Sequence, residues 1–161
     1  ALPISISDSS LGAPREIIEL NGEIYCFAWA TGIYNLLKTD GSSSNTQLAP
    51  YNGSNPNFIG IRNVNLYKDR LYFIGTTNAT GEEIWFYDPT TQSLDILKDI
   101  YPGPEGKIRD LAVGDSLLYF GADDGVHGLE FWKSDGTPDE TEMVADLWPG
   151  EESSYPGAFY P

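Results

Sequence analysis

Apolar side chains alternate with polar or oppositely facing ones at a period of two through much of this chain. The clearest runs are Ile24-Tyr-Cys-Phe-Ala28, Leu71-Tyr-Phe-Ile-Gly75 and Leu118-Tyr-Phe-Gly-Ala122. Successive strand residues point to opposite faces, so each run predicts a β-strand. One face carries Ile24/Leu71/Leu118 and Cys26/Phe73/Phe120; the other carries Tyr25/Tyr72/Tyr119 and Phe27/Ile74/Gly121. Both faces are largely apolar, so the strand is expected to lie in a sheet covered on both sides. Ala28, Gly75 and Ala122 leave room for close sheet-to-sheet approach.

The tyrosines of this strand fall 47 residues apart, and so do Arg15, Arg62 and Arg109. A fixed period of this length signals a repeated supersecondary unit. Each unit opens with a strand, Arg15–Leu20, Arg62–Tyr67 and Arg109–Val113, followed by a turn at Asn21-Gly22, Lys68-Asp69 or Asp115-Ser116. Asn-Gly between alternating runs is a strong hairpin signal. A third strand ends in Leu36-Leu-Lys-Thr-Asp40-Gly41, Ile84-Trp-Phe-Tyr-Asp88-Pro89 or Phe131-Trp-Lys-Ser-Asp135-Gly136, where Asp with Gly or Pro makes a turn. A short fourth strand, Gln47-Leu48, Leu94–Leu97 or Glu142–Ala145, completes the unit.

Four antiparallel strands in about 47 residues match a β-propeller blade. The expected fold is therefore all-β, with repeats at 12–58, 59–105 and 106–152. Residues 1–11 would supply a strand that completes a blade or pairs with a neighbour, and 153–161 would begin a further repeat. Propellers close with about four to eight blades. Three are too few, so closure is expected from a longer parent chain or from self-association as a ring or open array.

The composition suits short strands and tight turns: 161 residues with 17 Gly, 11 Pro and 21 aromatic side chains. The net charge of −15, from 24 acidic and 9 basic residues, opposes nucleic acid and anionic lipid. No apolar run is long enough for membrane insertion as a helix. Cys26 is the single cysteine, so no intrachain disulfide can form.

Glu130-Phe-Trp-Lys-Ser-Asp-Gly-Thr137, with Val144-Ala-Asp-Leu-Trp-Pro-Gly150 downstream, resembles the motif of the ELWxxDGT repeat family. Glu83-Ile-Trp85 continues the likeness in the second unit and Asp40-Gly-Ser42 in the first. The resemblance implies propeller-like blades from bacterial surface or secreted proteins, hence an extracellular or cell-surface location. It carries over no catalytic residue.

Candidate sites have competing explanations. The arginine column could bind a carboxylate or sulfate through its planar forks; equally, each guanidinium could tie one blade to the next. Asp123, Asp124 and Glu130 offer oxygen ligands around a glycine-containing loop, where calcium is the candidate ion. The same residues also suit a plain polar turn, and no other cofactor is expected. Trp85 and Trp132 recur in register and suit packing, whereas Trp29 and Trp148 have no counterparts and are candidate ligand contacts, glycans included. Asn52 and Asn78 begin glycosylation acceptor patterns. His127 and Cys26, in different units, form no nucleophile–base pair or zinc set. The leading expectation is a non-enzymatic structural or adhesive scaffold. A lectin-type propeller is the alternative, and an acid-residue hydrolase stands third.

Overall fold

The computed structural model describes residues 12–156. Three four-stranded antiparallel sheets follow one another along the chain. The first is β1 (Arg15–Leu20), β2 (Glu23–Ala30), β3 (Ile33–Thr39) and β4 (Gln47–Leu48). The second is β5 (Gly60–Tyr67), β6 (Arg70–Thr77), β7 (Gly81–Asp88) and β8 (Ser93–Ile96). The third is β9 (Lys107–Val113), β10 (Leu118–Asp123), β11 (Leu129–Ser134) and β12 (Glu142–Ala145). Each sheet keeps sequence order from one edge to the other. The first strands of successive sheets lie side by side, β1 against β5 and β5 against β9. Among the described residues the helical content is a single 3-10 turn, Ser43–Asn45. The expected strand at Pro3–Ser7 and the end of the stub, 157–161, lie outside the described residues.

The two faces of the central strand divide as the alternation predicts. Tyr25 and Phe27 of β2 pack with Leu71, Phe73 and Trp85 of the second sheet. Tyr72 and Ile74, on the opposite face of β6, pack with Leu118, Phe120, Ala122 and Trp132 of the third. Rings mesh across the first junction, with Phe27 and Phe73 centroids 4.9 Å apart. Gly75 is required by that mesh, since a Cβ there would lie 2.7 Å from both Phe58 and Trp85. Burying these side chains between sheets supplies the main drive for stacking, roughly 1.5–3 kcal/mol for each large apolar group.

Polar contacts set the register between sheets. Tyr67 donates its hydroxyl to the Ser116 carbonyl, and Tyr72 donates to Gly136 O at 3.1 Å. Tyr87 donates to Pro50 O at 2.9 Å, and Lys98 Nζ to Thr141 O at 2.6 Å. These donors serve carbonyls of residues that lie outside the strands.

Each first strand also carries a β-bulge at the same place, which alternation alone does not reveal. Pairing shifts register between Arg15 and Ile18, between Arg62 and Asn65, and opposite Phe120/Gly121. Glu16, Asn63 and Asp110 hold φ of 52°, 53° and 44° there, in the left-handed region, at the 47-residue period. A bulge leaves one residue out of the ladder and strengthens twist. Its repetition bends every first strand alike.

Candidate functional site

The arginines occupy one register column, opposite Phe27, Ile74 and Gly121. Their surroundings differ. Arg62 Nη2 donates to Glu82 Oε2 at 2.9 Å and to Ile108 O at 2.7 Å, tying the second sheet to the third. Arg109 reaches its neighbour Asp110 at 3.5 Å. Arg15 is exposed, and among the described residues it makes no ion pair. Equivalent position therefore does not create one shared anion site, and of the three arginines only Arg62 bridges sheets among the described residues.

The proposed calcium ligands are not brought together. Asp123 accepts from Gly125 N and lies 3.6 Å from Lys107 Nζ. Asp124 caps Val126 N and His127 N and contacts His127 Nδ1 at 2.8 Å. That hydrogen bond holds the imidazole above its ordinary pKa. Glu130 is buried, with Oε2 accepting from Leu147 N and Oε1 from Ser154 N. Among the described residues no three acidic, histidine or cysteine side chains cluster as a metal centre.

The Glu130 position has a structural task that spacing alone leaves open. By strand register its counterparts are Glu83 and Asn35, opposite Ala122, Gly75 and Ala28. Glu83 Oε1 accepts from Tyr101 N at 3.2 Å, and Asn35 Oδ1 accepts from Asn55 Nδ2 at 3.2 Å. Each side chain clasps the segment leading to the next sheet. Burial pushes the Glu83 carboxyl up to about 7, against the lowering effect of hydrogen bonds from Tyr101 and Ile100.

The Asp-Gly turns of the first and third sheets share one hydrogen-bond pattern. Asp135 Oδ1 accepts from Thr137 N, Gly136 N donates to Ser134 Oγ, and Ser134 Oγ meets Thr141 Oγ1 at 2.7 Å. Asp40, Ser42, Gly41, Thr39 and Thr46 repeat every contact. The signal for this was a Thr seven residues after the Ser or Thr that precedes Asp-Gly.

Trp29 ends β2, partly exposed, with its ring edge-on to Tyr34 at 4.9 Å. Asn78 lies exposed in the β6–β7 turn. Asn52 is also exposed, but its side-chain amide donates to Thr91 O at 3.0 Å.

Trp148 belongs to the broadest surface feature. On the third sheet, positions that are buried one repeat earlier come to the surface. Leu97 is 1% exposed and Val144 45%; Ile100 is 9% exposed and Leu147 61%; Ile108 is 3% exposed and Tyr155 66%. Trp148 stands in the place of half-buried Tyr101. Tyr119 and Phe131 stack on this same end, 5.8 Å apart. At the opposite end, Ile17, Ile24, Cys26, Ala28 and Leu37 line an apolar groove of about 290 Å³ on the first sheet. Their counterparts Leu71 and Phe73, and Leu118 and Phe120, are covered by a preceding sheet.

No family model matches the chain, and no curated protein matches it significantly. Among solved structures it is similar to an α-L-arabinofuranosidase from Clostridium thermocellum ATCC 27405, at 12% identity and a TM-score of 0.42. That similarity covers 83% of this chain, which spans 50% of the length of the other. The architecture of stacked four-stranded sheets rests on the strand pairing itself.

Proposed function

We propose that the chain is a non-enzymatic module of the cell surface or extracellular space, a structural or adhesive scaffold of propeller-like repeats that self-associates head to tail. The observation that carries this reading is the complementarity of its two ends. The outer face of the first sheet carries the columns that the second and third sheets bury against a preceding neighbour; there Ile17 is exposed, while Cys26, Ala28 and Leu37 form a small buried cluster of their own. The outer face of the third presents the positions that the second buries against a following one. A second copy would thus repeat a junction the molecule already makes twice within itself, which commits the interface to a heterologous contact. Contiguous apolar surface at both ends favours such cover. The resemblance to ELWxxDGT repeats supports the surface location and the absence of catalysis.

Ile17 is exposed at the groove on the first sheet, and Tyr119 lies on the outer face of the third. A chain carrying both Ile17→Cys and Tyr119→Cys, treated with a short bis-maleimide, should yield ladders of linked copies, whereas either single variant should not. Unlinked product under the same conditions would count against head-to-tail contact. Turnover of glycoside, ester or peptide substrates that disappears when one carboxylate is replaced would count against the non-enzymatic reading.

A further inference from the structure

The chain has four arginines, and the fourth, Arg70, stands outside the periodic column. With Lys68 it lines a cleft of about 370 Å³ between the second and third sheets. Ligand pockets commonly measure about 300–1,000 Å³. Both cations are held in place. Arg70 Nε donates to Asp88 Oδ2 at 2.9 Å, with the guanidinium 5.3 Å from the Phe86 ring centroid. Lys68 Nζ donates to Asp135 O at 2.8 Å and lies 5.1 Å from the Tyr67 ring centroid. The exposed Thr90, Thr91 and Thr137 stand around the opening.

The cleft is particular to this junction. At the preceding one, Asn21 and Glu23 stand where Lys68 and Arg70 stand here, and Glu23 pairs with Lys38 at 3.1 Å. Packing alone therefore does not demand the two cations.

Charge decides the class of ligand. Lys68 and Arg70 face Asp69, Asp88 and Asp135, so the lining carries one more negative than positive group, in a chain of net charge −15. A free anion gains nothing there. A ligand with adjacent donors and acceptors does, because guanidinium and ammonium only donate while carboxylates only accept. We infer that this cleft binds a neutral polyhydroxylated ligand, a saccharide residue whose vicinal hydroxyls bridge the fixed Arg70–Asp88 and Lys68–Asp135 pairs. The inference holds whether or not copies of the chain associate.

The test is an amide-resolved NMR titration with the neutral methyl pyranosides of glucose, galactose and mannose, and with methyl glucuronide. At least one neutral glycoside should shift amides of 68–72, 88–91 and 135–137, with little dependence on salt. Lys68→Met should weaken it about tenfold, the scale of one lost charge-assisted hydrogen bond. Thr90→Val, at an exposed hydroxyl, should weaken it severalfold and leave the fold intact. Silence with all three neutral glycosides would overturn the inference. So would shifts confined to other residues, binding untouched by both variants, or salt-sensitive binding of the glucuronide alone.

Discussion

The junction between the second and third sheets and the two outer faces use the same columns of residues, yet the columns are covered to different extents. At the junction Phe120, Ile74, Leu97 and Ile108 are buried. At the ends Ile17, Val144, Leu147 and Tyr155 reach solvent, while Cys26, Ala28 and Leu37, along the groove of the first sheet, are buried in a small cluster of their own. The difference teaches that the repeat encodes half of an interface on each side of every sheet.

That contrast can be broken most strongly at its buried side. Phe120→Ala removes a fully buried ring from the junction and should cost about 3–5 kcal/mol, measured by urea denaturation. Ile17→Ala, in the exposed column of the first sheet, should change the stability of a single copy by less than about 0.5 kcal/mol while weakening assembly. Equal losses at the two positions would mean that the first sheet is covered within its own copy.

Two glutamates sharpen the comparison next. Glu83 and Glu130 hold equivalent places, but Glu130 accepts N–H groups on both oxygens, whereas Glu83 Oε2 has no partner among the described residues. Glu83 keeps its proton in the folded state up to about pH 7, while the unfolded chain releases it near 4.5. The folded state thus binds more protons between those values, so stability falls as pH rises from about 4.5 to about 7. Glu83→Gln should remove that slope and add up to ~3 kcal/mol above the upper value. Glu130→Gln should do the reverse, costing about 1–3 kcal/mol, because an amide NH₂ would face a backbone donor. Denaturation midpoints across pH separate the two outcomes.

The turns give the smallest effect. Gly136 and Gly41 both hold φ +94°, a conformation that a side chain disfavours. A Cβ at Gly136 would lie 2.7 Å from Tyr72 Oη, while nothing lies within 4 Å of one at Gly41. Gly41→Ala should cost about 1 kcal/mol and Gly136→Ala about 1 kcal/mol more, since the Tyr72 ring must give way. Thermal midpoints would show the order.

The sheets were legible in the sequence because their strongest strands carry apolar residues on both faces, as in Leu71-Tyr-Phe-Ile, and several turns use Asn-Gly, Asp-Gly or Asp-Pro. The bulges at Glu16, Asn63 and Asp110 were not, since one extra residue in a short strand leaves too little alternation on either side to expose the slip. The arginine column was legible as a column. Its partners were not, because they depend on which residue each neighbouring sheet presents: Glu82 and Ile108 O for Arg62, Asp110 for Arg109. The oxygen chemistry of Glu130 makes it a candidate calcium ligand or part of a plain polar turn. Its hydrogen bonds to Leu147 and Ser154 required the path of the crossover, which spacing does not carry. The cleft at Arg70 escaped notice for the opposite reason, since a residue without periodic counterparts leaves no mark in a repeat.

Sedimentation equilibrium of the chain at micromolar concentration, beside an Ile17→Arg variant with unchanged β-sheet circular dichroism, tests the complementarity of the two ends most directly. The expected result is a mass that is a multiple of 17.7 kDa for the parent chain and a fall toward 17.7 kDa for the variant. A parent chain that sediments as a folded 17.7 kDa particle at every concentration would contradict it.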